Sequence, residues 1–255
     1  MNTNSHSTLI LSIAGECATV VLSRPQVKNA MNETMRAELL TVIKELEAND
    51  AVRIVVLTGA GNCFSAGQDL AGINPDVSTQ QLLECEYRPI IAGIRQSRKI
   101  YVCAIDGACA GAAVSIALAC DLVAMSRRSF LYLAFAKLGL MPDAGATWLL
   151  GRALGYHRSF ALFALGGTLD AQDALAAGLA NAVFPEQTFD TDLTHWLQPL
   201  LSGSQDAYVA IKQTLNAFDD DTLGKAMAME AHLQQTLSDS DFFKRCLSRF
   251  NGPEG

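Results

Sequence analysis

The sequence predicts an α/β fold that consists of a mostly parallel sheet with helical crossovers, followed by a helical C-terminal portion. Short strand-like runs alternate with helix-length segments as far as about residue 147, and this alternation is typical of parallel strands joined by helices. Beyond that point the pattern becomes helical, and only Ala182–Phe184 resembles a strand. We therefore expect an α/β core over residues 1–190 and a helical region over residues 191–255.

The N-terminal part of the chain predicts a hairpin followed by a helix. The runs Thr8–Ile13 and Ala18–Ser23 flank a short turn that contains Gly15, as the two strands of a hairpin do. Asn32 is placed to cap a helix that runs to about Ala48. Apolar residues repeat along this helix at helical spacing, which predicts a buried face. They are Met35, Leu39, Val42, Ile43 and Leu46.

The middle of the chain continues the alternation of strands and helices. Between the strands we expect a polar loop over 71–79, a helix over about 80–97, and a buried helix over Ala112–Ala119 whose small side chains allow close packing. The segment 205–247 is predicted to be nearly all helix. The strand-like runs of this part are Arg53–Thr58, 101–105 and Leu122–Met125.

The composition limits the class of partner. The formal net charge is -7 and no basic cluster is present, which argues against a nucleic-acid partner. Seven cysteines without a CxxC pair favour a reducing compartment over a disulfide framework. No signal peptide is visible, and the uncharged run Gly107–Cys120 is too short to span a bilayer. We expect a cytoplasmic protein that does not bind membranes.

Two turns rich in small residues, about forty residues apart, carry the first functional prediction. The first turn is Phe64–Leu70, after the run Ile54–Leu57, and the second is Gly107–Ala113, after 101–105. In each turn backbone N–H groups can point outward from the end of a strand. Two such groups that converge on one point form an oxyanion hole, which holds the negative oxygen of an enolate. This predicts an enzyme that acts on a carbonyl compound such as a thioester.

Four segments in register resemble the crotonase superfamily, which contains the enoyl-CoA hydratases and isomerases. Within that superfamily, Ala66–Leu70 and Pro142–Leu150 are most similar to the phenylacetate-pathway isomerases, which act on a ring-epoxide CoA thioester. The resemblance implies a spiral of stacked ββα units with a helical C-terminal trimerisation region. It also implies a homotrimer or a hexamer. The four segments are Arg24-Pro25 with Asn29-Ala30, Phe64 to Leu70, Gly107 to Asp121, and Lys137 to Gly145.

The resemblance also assigns the substrate-binding residues. It implies that the N–H groups of Gln68 and Ala112 form the oxyanion hole; Ala112 stands where many relatives have Gly, but its methyl group removes no donor. No cofactor is implied, because coenzyme A is part of the acyl-CoA substrate. The late basic pair that relatives bring to a neighbour's CoA is missing or shifted over residues 241–253, which leaves that contact open. The remaining residues implied to contact CoA or substrate are Lys28, Ala30, Ala66, Asp69, Leu70 and Gly111. For Lys28, an ordinary exposed loop lysine is an equal alternative.

The acid/base group decides the reaction. Hydratases of this superfamily use two glutamates, at positions where this chain has Ser115 and Phe135, so hydration by that arrangement is not expected. A carboxylate remains at Asp143, and relatives that shift double bonds place an acid near this point. One carboxylate with a pKa raised by burial can remove a proton from one carbon and return it to another. The alternative is that Asp143 caps the helix that begins near Thr147.

Other polar residues have simpler interpretations. Ser65 lacks the sequence context of a nucleophile and is expected to be a turn residue, while Asp69 is expected to bond the backbone of the turn. Cys109 is expected to be a small packing residue, and Asp121 is expected to have a structural role. The four histidines show no metal-ligand spacing. Glu84 and Glu86 are expected to lie on a solvated face, with a place in the acyl pocket as the alternative. Tyr87 and Trp148 are further candidates for lining that pocket.

These observations lead to one main prediction and two alternatives. We expect an isomerase that acts on acyl-CoA thioesters in fatty acid or aromatic acid metabolism, shifting a double bond or rearranging an epoxide or allylic acyl group through an enolate. The first alternative is an enoyl-CoA hydratase in which Asp143 or Glu86 activates water. The second is a catalytically silent acyl-CoA binder.

Overall fold

The computed structural model describes residues 2–71, 77–217 and 220–248. The predicted loop over 71–79 and the tail over 241–253 therefore lie partly outside the described residues. Strands and helices alternate up to residue 184, and the described chain is helical afterwards. This confirms the α/β fold class with helices at the C-terminal end.

Strands in the described residues form two sheets. Their bounds are β1 (Asn2–Ser5), β2 (Leu9–Ala14), β3 (Cys17–Leu22), β4 (Ile54–Gly59), β5 (Cys63–Ser65), β6 (Ile100–Ile105), β7 (Ala108–Ala110), β8 (Leu122–Ser126), β9 (Phe130–Tyr132), β10 (Thr168–Asp170) and β11 (Ala182–Phe184). The larger sheet has the order β1-β2-β3-β4-β6-β8-β11 and is parallel from β3 onwards. β2 and β3 pair antiparallel, which confirms the predicted hairpin, and β1 extends it as a strand that was not predicted.

The smaller sheet shows how the fold repeats. Its order is β10-β9-β7-β5, and β5, β7 and β9 are parallel. Each of these three strands follows a strand of the larger sheet after two or three residues and leads into a helix. The chain therefore advances by one ββα unit at a time, as the resemblance implies. The sequence analysis missed this sheet, because each of its strands is only three residues long.

The helices follow the predicted periodicity closely. Their bounds are α1 (Glu33–Ala48), α2 (Thr79–Leu82), α3 (Arg88–Gln96), α4 (Ala112–Ala119), α5 (Ala146–Leu165), α6 (Ala171–Ala176), α7 (Phe189–Ser202), α8 (Gln205–Ala217), α9 (Asp220–Ser238) and α10 (Asp241–Ser248). α2, a π-helical turn over Leu83–Tyr87 and α3 form one continuous helix near the predicted range 80–97. α5 is interrupted at Gly155, where φ is +72°. No helix in the described ranges has the length and apolar content to cross a membrane.

The larger sheet is buried on both faces. Val55 and Leu57 of β4 face the main core, while Ile54 and Val56 face a second cluster with Leu193 and other residues of α7. A strand covered on both sides reads as a continuous apolar run, which is why β4 was visible in the sequence. The predicted apolar face of α1 is buried in the main core, and the Asn32 side chain caps this helix by accepting a 3.0 Å hydrogen bond from the Met35 N–H.

Candidate active site

The two small-residue turns meet because β5 and β7 are neighbouring parallel strands. The carboxyl ends of parallel strands lie at the same edge of a sheet, so the turns that follow them are adjacent. Gly67 has φ +87°, and a Cβ at this position would lie 2.6 Å from the carbonyl oxygen of Ala110. Only glycine permits this approach. It brings Gln68 and Ala112, each one residue beyond a glycine, to the wall of one cavity.

The N–H groups of Gln68 and Ala112 donate to no backbone carbonyl among the described residues. Ala112 is the first residue of α4, and the first N–H groups of a helix have no acceptor within it. The peptide on each side of the Gln68 N–H is fixed by Met31, whose N–H donates to the Gly67 carbonyl at 2.7 Å and whose carbonyl accepts from the Asp69 N–H at 3.2 Å. Both N–H groups are therefore available to a substrate oxygen.

Buried polar side chains hold the first turn in shape. Ser65 is fully buried, donates to the Asn29 carbonyl at 2.7 Å and accepts from the Gly67 N–H at 3.1 Å. Asp69 accepts from the Ala71 N–H at 3.2 Å and forms a 2.7 Å ion pair with Arg24. Ser65 is thus a turn residue and Asp69 bonds the turn's backbone, as predicted. The ion pair with Arg24 was not predicted.

The cavity has a volume of about 540 Å³ and is walled mainly by apolar side chains. Lys28 and Ala30 are not among the described residues that line it. Lys28 instead lines a separate surface depression. Trp148 does not line the cavity either, and its Nε1 donates to Thr222 Oγ1 at 3.1 Å. The site residues named from the sequence that the cavity does bring together are Ala66, Gln68, Asp69, Leu70, Gly111, Ala112 and Asp143.

Asp143 is a buried carboxylate on the wall of this cavity. Its Oδ2 accepts a 2.9 Å hydrogen bond from Gln234 Nε2, whereas its Oδ1 has no hydrogen-bond partner among the described residues. Burial and, to a smaller extent, the charge of Glu230 raise the pKa of Asp143 to about 7, although the Gln234 hydrogen bond opposes this rise. The group is therefore poised to gain or lose a proton near neutral pH.

Asp143 does not cap α5 through its side chain. The N–H groups of Gly145 and Thr147 instead donate to the Glu230 carboxylate, at 2.6 Å and 3.0 Å. The capping alternative for Asp143 is thus wrong, because a glutamate from α9 takes that role.

No carboxylate occupies the two positions at which hydratases have glutamates. Ser115 is buried in α4, and its hydroxyl donates to the backbone carbonyl of Asp143 at 3.0 Å. Phe135 lines the cavity, and its ring lies 3.9 Å from the site of a Cβ built on Gly111. Among the described residues, no group of three His, Cys, Asp or Glu side chains could hold a metal ion.

A buried polar network lies beside the first small-residue turn, Phe64–Leu70, which we call the oxyanion turn, and it was not predicted from the sequence. Arg36 is 4% exposed, forms a 2.7 Å ion pair with Glu86 and donates to the side-chain oxygen of Gln68 at 3.0 Å. The Tyr87 hydroxyl donates to the same oxygen at 2.7 Å, and burial raises the pKa of Tyr87, which keeps it protonated. Glu86 thus lines the cavity in an ion pair, while Glu84 pairs with Arg88. A charged residue at position 36 gives no sequence signal of burial.

The C-terminal helices also contribute to the cavity wall. Gln234 and Ser238 of α9 and Phe243 of α10 line it. The Ser78 hydroxyl donates to Gln235 Oε1 at 2.7 Å, which ties α9 to the start of α2. The region that the resemblance assigns to trimerisation therefore packs on the site of its own chain.

The fold and the site belong to a known class of protein. The family model for enoyl-CoA hydratase/isomerase matches residues 13–252, so the chain belongs to the enoyl-CoA hydratase/isomerase family. It is 33% identical over 239 residues to 1,2-epoxyphenylacetyl-CoA isomerase of Escherichia coli (strain K12), covering 91% of this chain and 90% of that protein. It is also 33% identical over 250 residues to a probable enoyl-CoA hydratase of Rhodobacter capsulatus, covering 96% and 95%.

A solved structure supports the same assignment. The crystal structure of an enoyl-CoA hydratase from Mycobacterium avium subsp. paratuberculosis K-10 matches with a TM-score of 0.88 and 30% identity, covering 96% of this chain and 95% of that one. The crotonase resemblance, with its phenylacetate-pathway branch, is thereby confirmed. Relatives include proteins named isomerase and proteins named hydratase, so family membership does not choose between the two reactions.

Proposed function

We propose that this enzyme is an acyl-CoA isomerase that moves a double bond, or rearranges an epoxide or allylic acyl group, through an enolate of the thioester. The observation that carries the proposal is the state of Asp143: it is a buried carboxyl with a pKa of about 7, on the cavity wall that also holds Gln68 and Ala112, and one of its oxygens has no hydrogen-bond partner in the described part of the chain. The two positions used by hydratases hold Ser115 and Phe135 instead of acids.

The proposed reaction moves one proton and one double bond. Ionised Asp143 removes a proton from the carbon next to the thioester carbonyl, and the electrons of that C–H bond move into the conjugated system. The thioester oxygen then carries the negative charge and accepts hydrogen bonds from the N–H groups of Gln68 and Ala112. In comparable sites each such donor is worth about 3–4 kcal/mol. Protonated Asp143 exchanges its proton with solvent while the enolate is held, and then donates a proton to the far carbon of the allylic system, which leaves the double bond shifted.

The proposal extends to CoA and to the assembly. Lys28 is a cation on the wall of the separate surface depression and suits a phosphate of CoA. We include Ala30, Ala66, Asp69, Leu70 and Gly111 in the substrate-binding surface. A homotrimer or hexamer would cover large apolar side chains that one copy exposes, among them Tyr156 (74% exposed), Phe160 and Met229.

Hydration is the second candidate, because Glu86 places another carboxylate on the cavity wall. A water molecule activated by Glu86 or Asp143 would add across the double bond. The ion pair argues against this role, because it holds a carboxylate oxygen of Glu86 against the Arg36 guanidinium.

The experiment is NMR of a 3-enoyl-CoA and a 2-enoyl-CoA, each incubated with the purified protein in heavy water. We expect double-bond migration with deuterium incorporation and no 3-hydroxyacyl product. Asp143→Asn is expected to lower the rate by about 10²–10⁴-fold, which is the usual contribution of general acid–base catalysis. Asp50→Asn, at an exposed turn position, is the matched control and is expected to keep full activity.

Each other outcome has a definite meaning. A 3-hydroxyacyl product would establish hydration, and full activity in Asp143→Asn would remove Asp143 from the mechanism. Bound acyl-CoA without proton exchange, for aliphatic, aromatic and dicarboxylic acyl groups alike, would identify a silent binder.

A further inference from the structure

Two buried polar residues of α9, Glu230 and Gln234, reach the segment 141–147 that carries Asp143. Their exposed fractions are 2% and 1%. Buried polar side chains are almost always hydrogen-bonded, and their choice of partner shows what they hold in place. Both of these side chains bond to 141–147 rather than to solvent or to their own helix.

Gln234 uses its amide as a clamp on this segment. Its Oε1 accepts from the Met141 N–H at 3.0 Å, while its Nε2 donates to the Met141 carbonyl at 2.9 Å and to Asp143 Oδ2 at 2.9 Å. If the amide were rotated by half a turn, its oxygen would face the Met141 carbonyl oxygen and Asp143 Oδ2, which are both acceptors. The hydrogen-bond pattern therefore fixes the orientation of the amide. The Nε2 group that donates to Asp143 is thus held in place by the two hydrogen bonds between the Gln234 amide and the Met141 backbone.

Glu230 completes the arrangement one helical turn earlier. Its carboxylate accepts from the N–H groups of Gly145 and Thr147 and from the Thr147 hydroxyl, which caps α5. Because Glu230 satisfies these donors, the Asp143 carboxylate is not drawn onto the helix end. Asp143 Oδ1 keeps no partner, and Oδ2 has Gln234 alone as its side-chain donor among the described residues.

We propose that Gln234 is a positioning residue for Asp143: its amide holds Oδ2 and so fixes the orientation of the carboxyl group on the cavity wall. The inference rests on the proposed function only in taking Asp143 as the base. On this inference, helix α9 contributes a residue that orients the proposed base.

The groups that face Asp143 define the expected effect on its ionisation. Burial and the charge of Glu230 on α9 favour the protonated acid, and the Tyr87 hydroxyl on the π-helical turn stays neutral. The Gln234 hydrogen bond favours the carboxylate. Hydrogen bonds to charged groups are strong enough that loss of this one is expected to raise the pKa of Asp143 by about one unit. The acid limb of the kcat/KM profile then moves to higher pH by the same amount.

The test uses Gln234→Met, which keeps the side-chain volume but removes both polar groups, and Gln234→Asn, which keeps a neutral amide but is one methylene shorter, so that its amide is withdrawn from Asp143. Gln198→Met is the matched control, because Gln198 is an exposed glutamine of α7. Two quantities are measured: the titration midpoint of the Asp143 carboxyl by ¹³C NMR, with its signal assigned by its loss in Asp143→Asn, and the pH profile of kcat/KM.

We expect the midpoint and the acid limb to rise together by about one pH unit in the Gln234 variants and to stay unchanged in Gln198→Met. If Gln234→Met does not fold, Gln234→Asn, which adds no charge, decides the question. A midpoint that stays at its wild-type value in a folded Gln234 variant would overturn the inference. A raised midpoint combined with full activity in Asp143→Asn would support the role of Gln234 and refute Asp143 as the base, so the two ideas fail separately.

Discussion

Replacing Asp143 with Asn is predicted to stabilise the fold at neutral and alkaline pH while it removes the proposed base. Burial raises the pKa of this carboxyl from the usual 3.8 to about 7. The native protein therefore resists an ionisation that the unfolded chain undergoes near pH 4. At about 1.4 kcal/mol per pH unit, the difference between the two pKa values corresponds to at most about 4 kcal/mol of unfolding free energy.

The sign follows from which state binds the proton. Below about pH 4 the carboxyl is protonated in the native and in the unfolded chain. As the pH rises towards 7, the unfolded chain releases the proton first, so the wild-type protein loses stability relative to the Asn variant. Above about pH 7 both states are ionised and the loss is complete. The amide oxygen introduced by Asp143→Asn can still accept the hydrogen bond from Gln234, so the clamp on segment 141–147 is kept.

The assay is urea unfolding followed by circular dichroism, at several pH values between about 4 and 8.5, for the wild type, Asp143→Asn and Asp50→Asn. We expect the first variant to gain stability over the wild type as the pH rises, and the control to follow the wild type. If the difference in unfolding free energy between Asp143→Asn and the wild type were independent of pH, the reasoning would be refuted. That result would mean that the carboxyl has the same pKa in the native protein and in the unfolded chain.

Two further substitutions test the oxyanion turn and the network beside it. Gly67→Ala places a methyl group 2.6 Å from the Ala110 carbonyl oxygen at a positive φ. We therefore expect stability to fall by about 2 kcal/mol or more and kcat to fall by about 10²-fold or more. Gly151→Ala is the control, because Gly151 has open space around it, and equal effects of the two substitutions on kcat would contradict this reasoning. Arg36→Met leaves Glu86 unpaired and removes one of the two side-chain donors to the Gln68 oxygen, the other being Tyr87, so we expect about 2–4 kcal/mol less stability by chemical denaturation. Adding Glu86→Gln is expected to recover part of this loss, and no recovery in the double variant would mean that the ion pair is not the cause.

Local periodicity accounts for the parts of the fold that the sequence predicted. α1 and α4 were found within a residue of their bounds, because each has several turns of apolar repeat or a continuous run of small residues. β5, β7 and β9 were missed, because three residues show too little alternation to distinguish a strand from a loop. The pairing of β5 with β7 nevertheless brings the two small-residue turns together.

The same reasoning explains what was found of the site. Ala66, Gln68 and Ala112 lie in turns whose small residues mark them in the sequence, and Asp143 was identified as a lone carboxylate in a recognisable motif. Glu230 and Gln234 look like a solvated stripe of a C-terminal helix, since their spacing of four residues is equally that of an exposed pair. Only tertiary packing, between positions about 90 residues apart, turns them inward.

The contact between Gln234 and Asp143 joins residues 91 positions apart in the chain. Closing a loop of that length carries a larger entropy cost than forming the hairpin or the ββα units, so the site is assembled late in folding. During synthesis on the ribosome, the segment that carries Asp143 emerges long before α9 does. A nascent chain can thus build its sheets first, and the proposed base receives its final orientation only after α9 has been made.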